Sequence, residues 1–217
     1  IIDTAGIRKK KAVEDESLEK YSVLRSIAAI ERCDVALLLI DAKEGVTEQD
    51  TKIAGLILDA GKSVIVVVNK WDAIEKETNT MEEMRKQIVS DLKFMSYAPV
   101  LFLSALTGQR VQNVLGKVKE VFENYRRRIP TGVLNEALAD AQASLQPPMQ
   151  GGRKLKIYYA TQQAVCPPTF IFFVNDQELM HFAYERYLEN HFRKSFQLVG
   201  TPLRFILRAK QKDDARP

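Results

Sequence analysis

Short apolar runs alternate with segments of helical spacing in the first part of this chain, and this alternation restricts the fold more than any other feature. The runs are Val35–Ile40, Ser63–Val68 and Val100–Leu103. Strands that alternate with helices form parallel βαβ units, because a parallel neighbour is reached only through a long crossover. The pattern therefore predicts an α/β domain whose parallel sheet is covered on both faces, and we expect Val35–Ile40 to be buried on both.

Helical spacing predicts four helices in this part, at positions 18–32, 47–60, 80–95 and 111–125. Two of them begin with the pattern of a capping box, Thr47 with Asp50 and Thr80 with Glu83. Ligands of such α/β sheets bind at the carboxyl ends of the strands. Polar segments follow the three apolar runs, so we expect these segments to converge on one site.

The pattern changes after Pro130, where the elements follow the order α-β-β-α-β. We expect a first helix capped by Thr131, strands at 155–159, 169–174 and 203–207, and a helix at 177–194. The prolines and glycines of the segment 146–152 predict a loop. This compact α+β unit predicts a second domain, so we divide the chain into 1–129 and 130–217.

Composition restricts the class of protein. The chain has 217 residues, a net charge of +4 and a sequence pI of about 9.0, which suits an anionic partner such as RNA as well as a plain solvated surface. It has neither an apolar run of about 20 residues nor a signal-peptide pattern, so we expect a cytoplasmic protein with no membrane partner. Cys33 and Cys166 lack metal-ligand spacing and are expected to be reduced thiols.

Asn69-Lys70-Trp71-Asp72 follows the second apolar run and fits the N-K-x-D motif that recognises guanine. The Asp72 carboxylate can accept two hydrogen bonds from guanine, whereas adenine offers no such donor pair at that edge. Asn69 can hold the neighbouring loop, and the stem of Lys70 can lie across the ring. A capping Asn and a turn Asp are the alternative.

Ser104-Ala105-Leu106 follows the third apolar run. We expect the backbone N–H of Ala105 to meet the guanine carbonyl oxygen, while Ser104 shapes the loop. The position of this segment, one strand after N-K-x-D, makes the guanine assignment far more specific than four letters alone.

Asp3-Thr4-Ala5-Gly6 fits the D-x-x-G motif of GTPases. Asp3 would contact Mg²⁺, usually through water, and the Gly6 N–H would meet the γ-phosphate. Ile7 stands where Ras-like proteins carry the Gln that orients water, so hydrolysis would be slow or would depend on a cation such as K⁺ or on a partner. We assign no catalytic residue.

These motifs, together with the segments Asp41–Asp50 and Ser104–Gly108 and the C-terminal unit, resemble the Der (EngA) family of GTPases. The resemblance implies the second of two consecutive GTPase domains, from its D-x-x-G motif onward, followed by a KH-like domain. It further implies GTP or GDP with Mg²⁺ as ligands and a role in assembly of the bacterial large ribosomal subunit and its rRNA. The KH-like domain is expected to pack on the GTPase domains of the same protein.

Two motifs are absent from the chain. It has no G-x-x-x-x-G-K-S/T, the loop whose backbone cradles the phosphates. We therefore expect this chain alone to be inactive, although we expect the intact protein to be a GTPase. It also has no G-x-x-G, the clamp of true KH domains, which agrees with the Der resemblance. The alternative is a binding module that contacts RNA without hydrolysis.

The second domain offers weaker candidates for RNA contact. Five aromatic residues could stack bases, although their alternation predicts at least three of them in the core: Tyr158, Tyr159, Phe170, Phe172 and Phe173. Four basic residues are as well explained by phosphate contacts as by a solvated surface: Lys154, Lys156, Arg204 and Arg208.

Overall fold

The structure is a computed structural model that describes residues 27–210. It divides into two compact units, one ending at Glu123 and the other beginning at Asn124. The domain boundary that the sequence places between Ile129 and Pro130 stays a prediction, because a compact unit need not fold independently. Within the described residues, no helix combines the length and the apolar character needed to cross a membrane.

The first unit contains a three-stranded parallel sheet in the order β1-β2-β3, which confirms the predicted α/β class. Its strands are β1 (Val35–Asp41), β2 (Ser63–Asn69) and β3 (Val100–Phe102). Its helices are α1 (described over 27–32), α2 (Glu48–Asp59), α3 (Thr80–Asp91) and α4 (Gln112–Tyr125), the last of which crosses into the second unit.

Helices cover both faces of this sheet, as predicted. On one face, α2 and α3 share a core with the strands: Leu38, Ile40, Ala54, Ile57, Val64, Val66, Val68 and Ile88. On the other face, α4 forms a smaller core with β2: Ile65, Val67, Leu103, Val114 and Val121. The central strand β2 is buried on both faces, which explains its unbroken apolar run from Val64 to Val68.

Leu39 is the exception to the predicted burial of the first strand, because 57% of it is exposed. Its neighbours Leu38 and Ile40 point to the α2 and α3 face, so Leu39 points to the α4 face. Within residues 27–210, β1 is hydrogen-bonded only to β2 and lies at an edge of the sheet. The prediction of burial on both faces is therefore wrong at Leu39.

The helix starts differ in how they are capped. At α2 the capping box is confirmed: Thr47 Oγ1 accepts a hydrogen bond from the Asp50 N–H (3.2 Å) and the Asp50 carboxylate accepts one from the Thr47 N–H (2.9 Å). At α3 it is wrong, because Thr80 is the first helical residue and its Oγ1 accepts from the Glu77 N–H. Thr131 likewise starts its helix after the N-cap Pro130 and does not cap it.

The second unit has the predicted α-β-β-α-β order. Its main elements are α5 (Thr131–Ser144), β6 (Ile157–Ala164), β7 (Thr169–Val174), α6 (Phe182–Phe196) and β8 (Arg204–Ala209). β6 and β7 are antiparallel, whereas β7 and β8 are parallel. The last helix begins later than predicted, because a separate 3₁₀ turn covers Gln177–Leu179.

A short strand lies within the predicted loop 146–152, and a second strand directly follows that segment. β4 (Met149–Gln150) and β5 (Arg153–Lys154) form an antiparallel hairpin. Gly151 and Gly152 connect them, both with positive φ (57° and 75°), which glycine adopts without steric cost. The glycines thus form a hairpin turn and not an open loop.

The inner face of this sheet packs on α5 and α6. Phe170, Phe172 and Phe192 are fully buried there. Of the five aromatic residues considered for RNA contact, only Phe170 and Phe172 are buried, so the prediction of at least three in the core is wrong; Tyr158 is exposed, and Tyr159 and Phe173 are half-buried. The hydroxyls of Tyr184 and Tyr187 donate hydrogen bonds from α6 to the α5 end, at the carbonyls of Leu145 (3.0 Å) and Ala141 (2.7 Å). Burial, with a smaller effect of Tyr187, raises the pKa of Tyr184 to about 12, so this hydroxyl remains a donor at neutral pH.

Gln162 is a buried polar residue of β6 that holds the connection between α4 and α5. Its Oε1 accepts a hydrogen bond from the Ile129 N–H (2.7 Å), and its Nε2 donates to the carbonyls of Arg127 (2.9 Å) and Ala164 (3.2 Å). Both N–H groups of the amide and one lone pair of its oxygen are thus used inside the unit. A leucine of similar size would fill the space and satisfy none of them.

We therefore expect Gln162→Leu to lower the free energy of unfolding of the second unit by about 1–3 kcal/mol, because it leaves backbone groups buried without partners. Urea unfolding, with hydrogen exchange at the Ile129 amide as a local probe, measures the effect. Gln163→Leu is the matched control, because Gln163 is exposed and its replacement should change stability by less than about 0.5 kcal/mol. Equal losses in both variants would contradict the role of the Gln162 amide.

Candidate nucleotide-binding site

The carboxyl ends of the three parallel strands carry polar residues that meet at one edge of the sheet. Asp41 ends β1, Asn69 ends β2, and Ser104 lies just beyond β3. The Asn69 carbonyl accepts a hydrogen bond from the Ala42 N–H (3.0 Å), which extends the pairing of β1 and β2 past the strand end. The parallel register thus brings together residues that are far apart in sequence.

Asn69 joins the loop after β2 to the loop after β3. Its side-chain Oδ1 accepts a hydrogen bond from the Ala105 N–H at 3.0 Å. A second bond runs between the same loops, from the Trp71 N–H to the Leu103 carbonyl at 3.1 Å. The two segments that the sequence assigns to guanine recognition are therefore held side by side. The Ala105 N–H, expected to face the guanine carbonyl, is here directed at Asn69.

Lys70 adopts the left-handed backbone conformation, with φ of 61° and ψ of 34°. Its Nζ forms an ion pair with the Asp41 carboxylate, whose side chain is only 7% exposed. The other oxygen of this carboxylate accepts a hydrogen bond from the Lys43 N–H at 2.9 Å. A nearly buried carboxylate needs such partners, so Asp41 fixes the course of the Lys70 stem above the strand ends.

Trp71 and Asp72 point in opposite directions although they are neighbours on the 3₁₀ turn Trp71–Ala73. The Trp71 ring is 3% exposed and packs edge-on against Phe102, with ring centroids 4.7 Å apart. It anchors the loop in the core, so only its backbone is available to a ligand. The Asp72 side chain is exposed at the surface of the loop.

Ser104 closes the loop that follows β3. It is fully buried, its Oγ accepts from the Thr107 N–H (3.1 Å) and its N–H donates to the Gln109 carbonyl (3.1 Å). Leu106, at the tip of this loop, is 88% exposed. Ser104 therefore shapes the turn from within, while Ala105 and Leu106 form its accessible surface.

This arrangement fits a guanine base. The exposed Asp72 carboxylate supplies acceptors for the ring N–H and the amine, and the Ala105–Leu106 backbone lies on the adjacent loop. The predicted phosphate and Mg²⁺ residues Asp3, Thr4, Ala5, Gly6 and Ile7 lie outside the described residues. Within residues 27–210, there is no cluster of three or more His, Cys, Asp or Glu side chains suited to a metal ion.

The sequence motifs do not predict the ion pair of Asp41 with Lys70. The signal for it was present, because Asp41 directly follows a strand-length apolar run in a parallel sheet. A single acidic residue at a strand end does not identify its partner, and the pairing depends on the left-handed backbone of Lys70.

We expect Asn69→Ala to speed amide hydrogen exchange at Ala105, because it removes the acceptor of that N–H. A net hydrogen-bond contribution of about 1 kcal/mol corresponds to roughly fivefold faster exchange. Asn79→Ala is the control, since Asn79 is exposed in the same unit and makes no side-chain capping bond. Unchanged exchange at Ala105 in the Asn69 variant would contradict the link between the loops.

Two known families match separate parts of the chain. Residues 20–124 match the elongation factor Tu GTP-binding domain family, and residues 128–208 match the KH-domain-like C-terminal family of EngA bacterial GTPase enzymes. Among solved structures, Era from Aquifex aeolicus aligns with 99% of this chain and 78% of its own, at 20% identity and a TM-score of 0.48. A similarity this low transfers neither function nor binding residues.

Curated relatives are far more similar. GTPase Der of Acetivibrio thermocellus is 59% identical over 98% of this chain, and GTPase Der of Alkaliphilus metalliredigens is 55% identical over 99%. The chain covers 48% of each of these proteins, so it spans about half the length of the curated relatives it matches. By sequence, the chain belongs to the Der (EngA) family of GTPases.

Proposed function

We propose that this chain recognises the guanine base of GTP and GDP in a GTP-binding switch, and that the intact protein hydrolyses GTP. The observation that carries the proposal is the hydrogen bond between Asn69 and Ala105, which holds the two candidate base-binding loops together beside the exposed Asp72. The names of the relatives, each a GTPase, support the same reaction class.

Base selection follows from the hydrogen-bonding edges of the two purines. Guanine presents a ring N–H and an amine that donate together, and Asp72 accepts both. Adenine presents no such donor pair, so its binding would leave the Asp72 carboxylate partly unsatisfied. Because the Ala105 N–H donates to Asn69, the Leu106 N–H of the same loop would face the guanine carbonyl oxygen, and the stem of Lys70 would cover the ring.

The D-x-x-G motif would bind the phosphate end of the nucleotide. Asp3 would hold Mg²⁺ through water, while Thr4, Ala5 and Gly6 would bring backbone groups to the γ-phosphate. Mg²⁺ would neutralise the charge that develops on the phosphate oxygens. Because Ile7 cannot orient water, we propose that the intact protein depends on another group, such as K⁺, for efficient hydrolysis.

For the second unit we propose a role in biogenesis of the bacterial large ribosomal subunit, through contact with its rRNA, in the cytoplasm. Its match to the KH-like family of EngA and its exposed basic residues support an RNA partner. Packing of this unit on the GTPase domains of the intact protein would let the nucleotide state control that contact. A binding module without hydrolysis is the second candidate, favoured by the same basic residues.

Replacing Asp72 by Asn tests the base assignment. The amide presents a donor where the carboxylate presented an acceptor, so preference should move from guanine to xanthine nucleotides. We expect the ratio of Kd for GDP to Kd for XDP to rise by at least about tenfold, since a hydrogen bond to a charged group is worth about 1.5–3 kcal/mol. Fluorescence titration with labelled GDP and XDP measures it.

Asp59→Asn is the matched control, because Asp59 is an exposed aspartate at the end of α2 in the same unit. It removes the same charge and should leave the GDP to XDP ratio unchanged. A ratio that stays at the wild-type value in the Asp72 variant would refute base recognition by this residue.

A further inference from the structure

One end of the second-unit sheet combines aromatic and basic side chains on its surface. β6 begins there, and β7 and β8 end there, because β6 runs antiparallel to β7 and β8 runs parallel to it. We call this surface the aromatic–basic edge and define it by five residues: Tyr158, Tyr159, Phe173, Arg208 and Lys210.

A row across the three strands forms the centre of this edge. Tyr159 pairs with Phe173 and Phe173 pairs with Arg208, so the three side chains share one face of the sheet. The alternate residues Phe172 and Leu207 pack in the core with α5 and α6, which places the row on the opposite, outer face. The Tyr159 and Phe173 rings are stacked, with centroids 4.3 Å apart and planes 15° from parallel.

Tyr158 extends the aromatic surface beyond this row. It is 49% exposed, although large aromatic rings usually gain by burial. Lys210 places its Nζ 5.4 Å from the centroid of the Tyr158 ring. A flat ligand stacked on the exposed part of this ring would bring its negative groups within reach of the ammonium.

The charges around this edge favour an anionic partner. Lys154 and Lys156 are exposed on the approach to β6, and Arg208 is exposed on β8. Of the nearby acidic residues, Asp176 is paired with Arg153 at 2.7 Å. Glu178 lies on the 3₁₀ turn next to β8. The seven residues after Lys210 add no net charge, since they contain two basic and two acidic residues.

We propose that the aromatic–basic edge binds single-stranded RNA, with a base stacked on Tyr158 and phosphates held by Arg208, Lys210 and Lys156. Aromatic rings interleaved with cations are what unpaired strands require, because every exposed base has a face to stack and every linkage carries a charge. A paired duplex offers no free base face and would gain only from the cations. The site lies on the sheet and does not require a G-x-x-G loop. This proposal rests on the proposed function, in which RNA is the partner of this unit.

Three variants of the whole chain separate stacking from charge, with a fluorescein-labelled 12-nucleotide uridine strand as the probe in anisotropy titrations. Tyr158→Leu should weaken binding by about 5- to 150-fold at constant salt, and Tyr158→Phe should restore it. Arg208→Gln with Lys210→Gln should lower the slope of log affinity against log salt by about 1.4, at about 0.7 per phosphate contact.

Lys86→Gln with Lys93→Gln is the matched charge control, because both lysines are exposed in the first unit. The proposal predicts a wild-type slope for this control and weaker binding of a uridine–adenine duplex than of the single strand. It is overturned if the control lowers the slope equally, if Tyr158→Leu binds as wild type, or if the duplex binds as well. No binding of any RNA would also refute the RNA partner, while leaving guanine recognition to its own test.

Discussion

The hydrogen bond from the Ala105 N–H to the Asn69 side chain is the contact on which the candidate site depends. A parallel sheet places its strand ends side by side, but it does not fix the loops that follow them. Asn69 does this, because it is the last residue of β2 and its amide oxygen reaches the loop after β3. Trp71, buried beneath the turn, then leaves the Asp72 side chain exposed.

A side-chain amide also holds backbone outside the helices and strands in the second unit, through hydrogen bonds. Gln162 bonds the segment between α4 and α5, as Asn69 bonds the loop after β3. In both places the amide suits the task because its oxygen accepts a hydrogen bond from a backbone N–H and it carries no charge to desolvate. Apolar packing supplies most of the stability of each unit. These amides fix the backbone of two segments that lie outside the helices and strands, the loop after β3 and the connection between α4 and α5.

The strands of the first unit and the loops of the candidate site could be predicted from the sequence. The runs around β1, β2 and β3 are apolar because both faces of a parallel sheet are covered, and N-K-x-D marks the end of the central strand. Exposure of Leu39 was not predictable, since it depends on which strand lies at the edge. The missed caps at Thr80 and Thr131 have a local cause, because a hydroxyl pattern does not say which residue starts the helix. The ion pair of Lys70 with Asp41 could not be predicted, because it depends on the left-handed backbone conformation of Lys70 in the folded chain.

We infer that the loops after β2 and β3 together recognise the guanine base. Amide NMR spectra of the chain, recorded with increasing GDP and separately with ADP, test it most directly. We expect GDP to shift the amide signals of Asp72, Ala105 and Leu106, and ADP at the same concentration to leave them in place. Equal shifts with both nucleotides, or shifts confined to other parts of the chain, would contradict it.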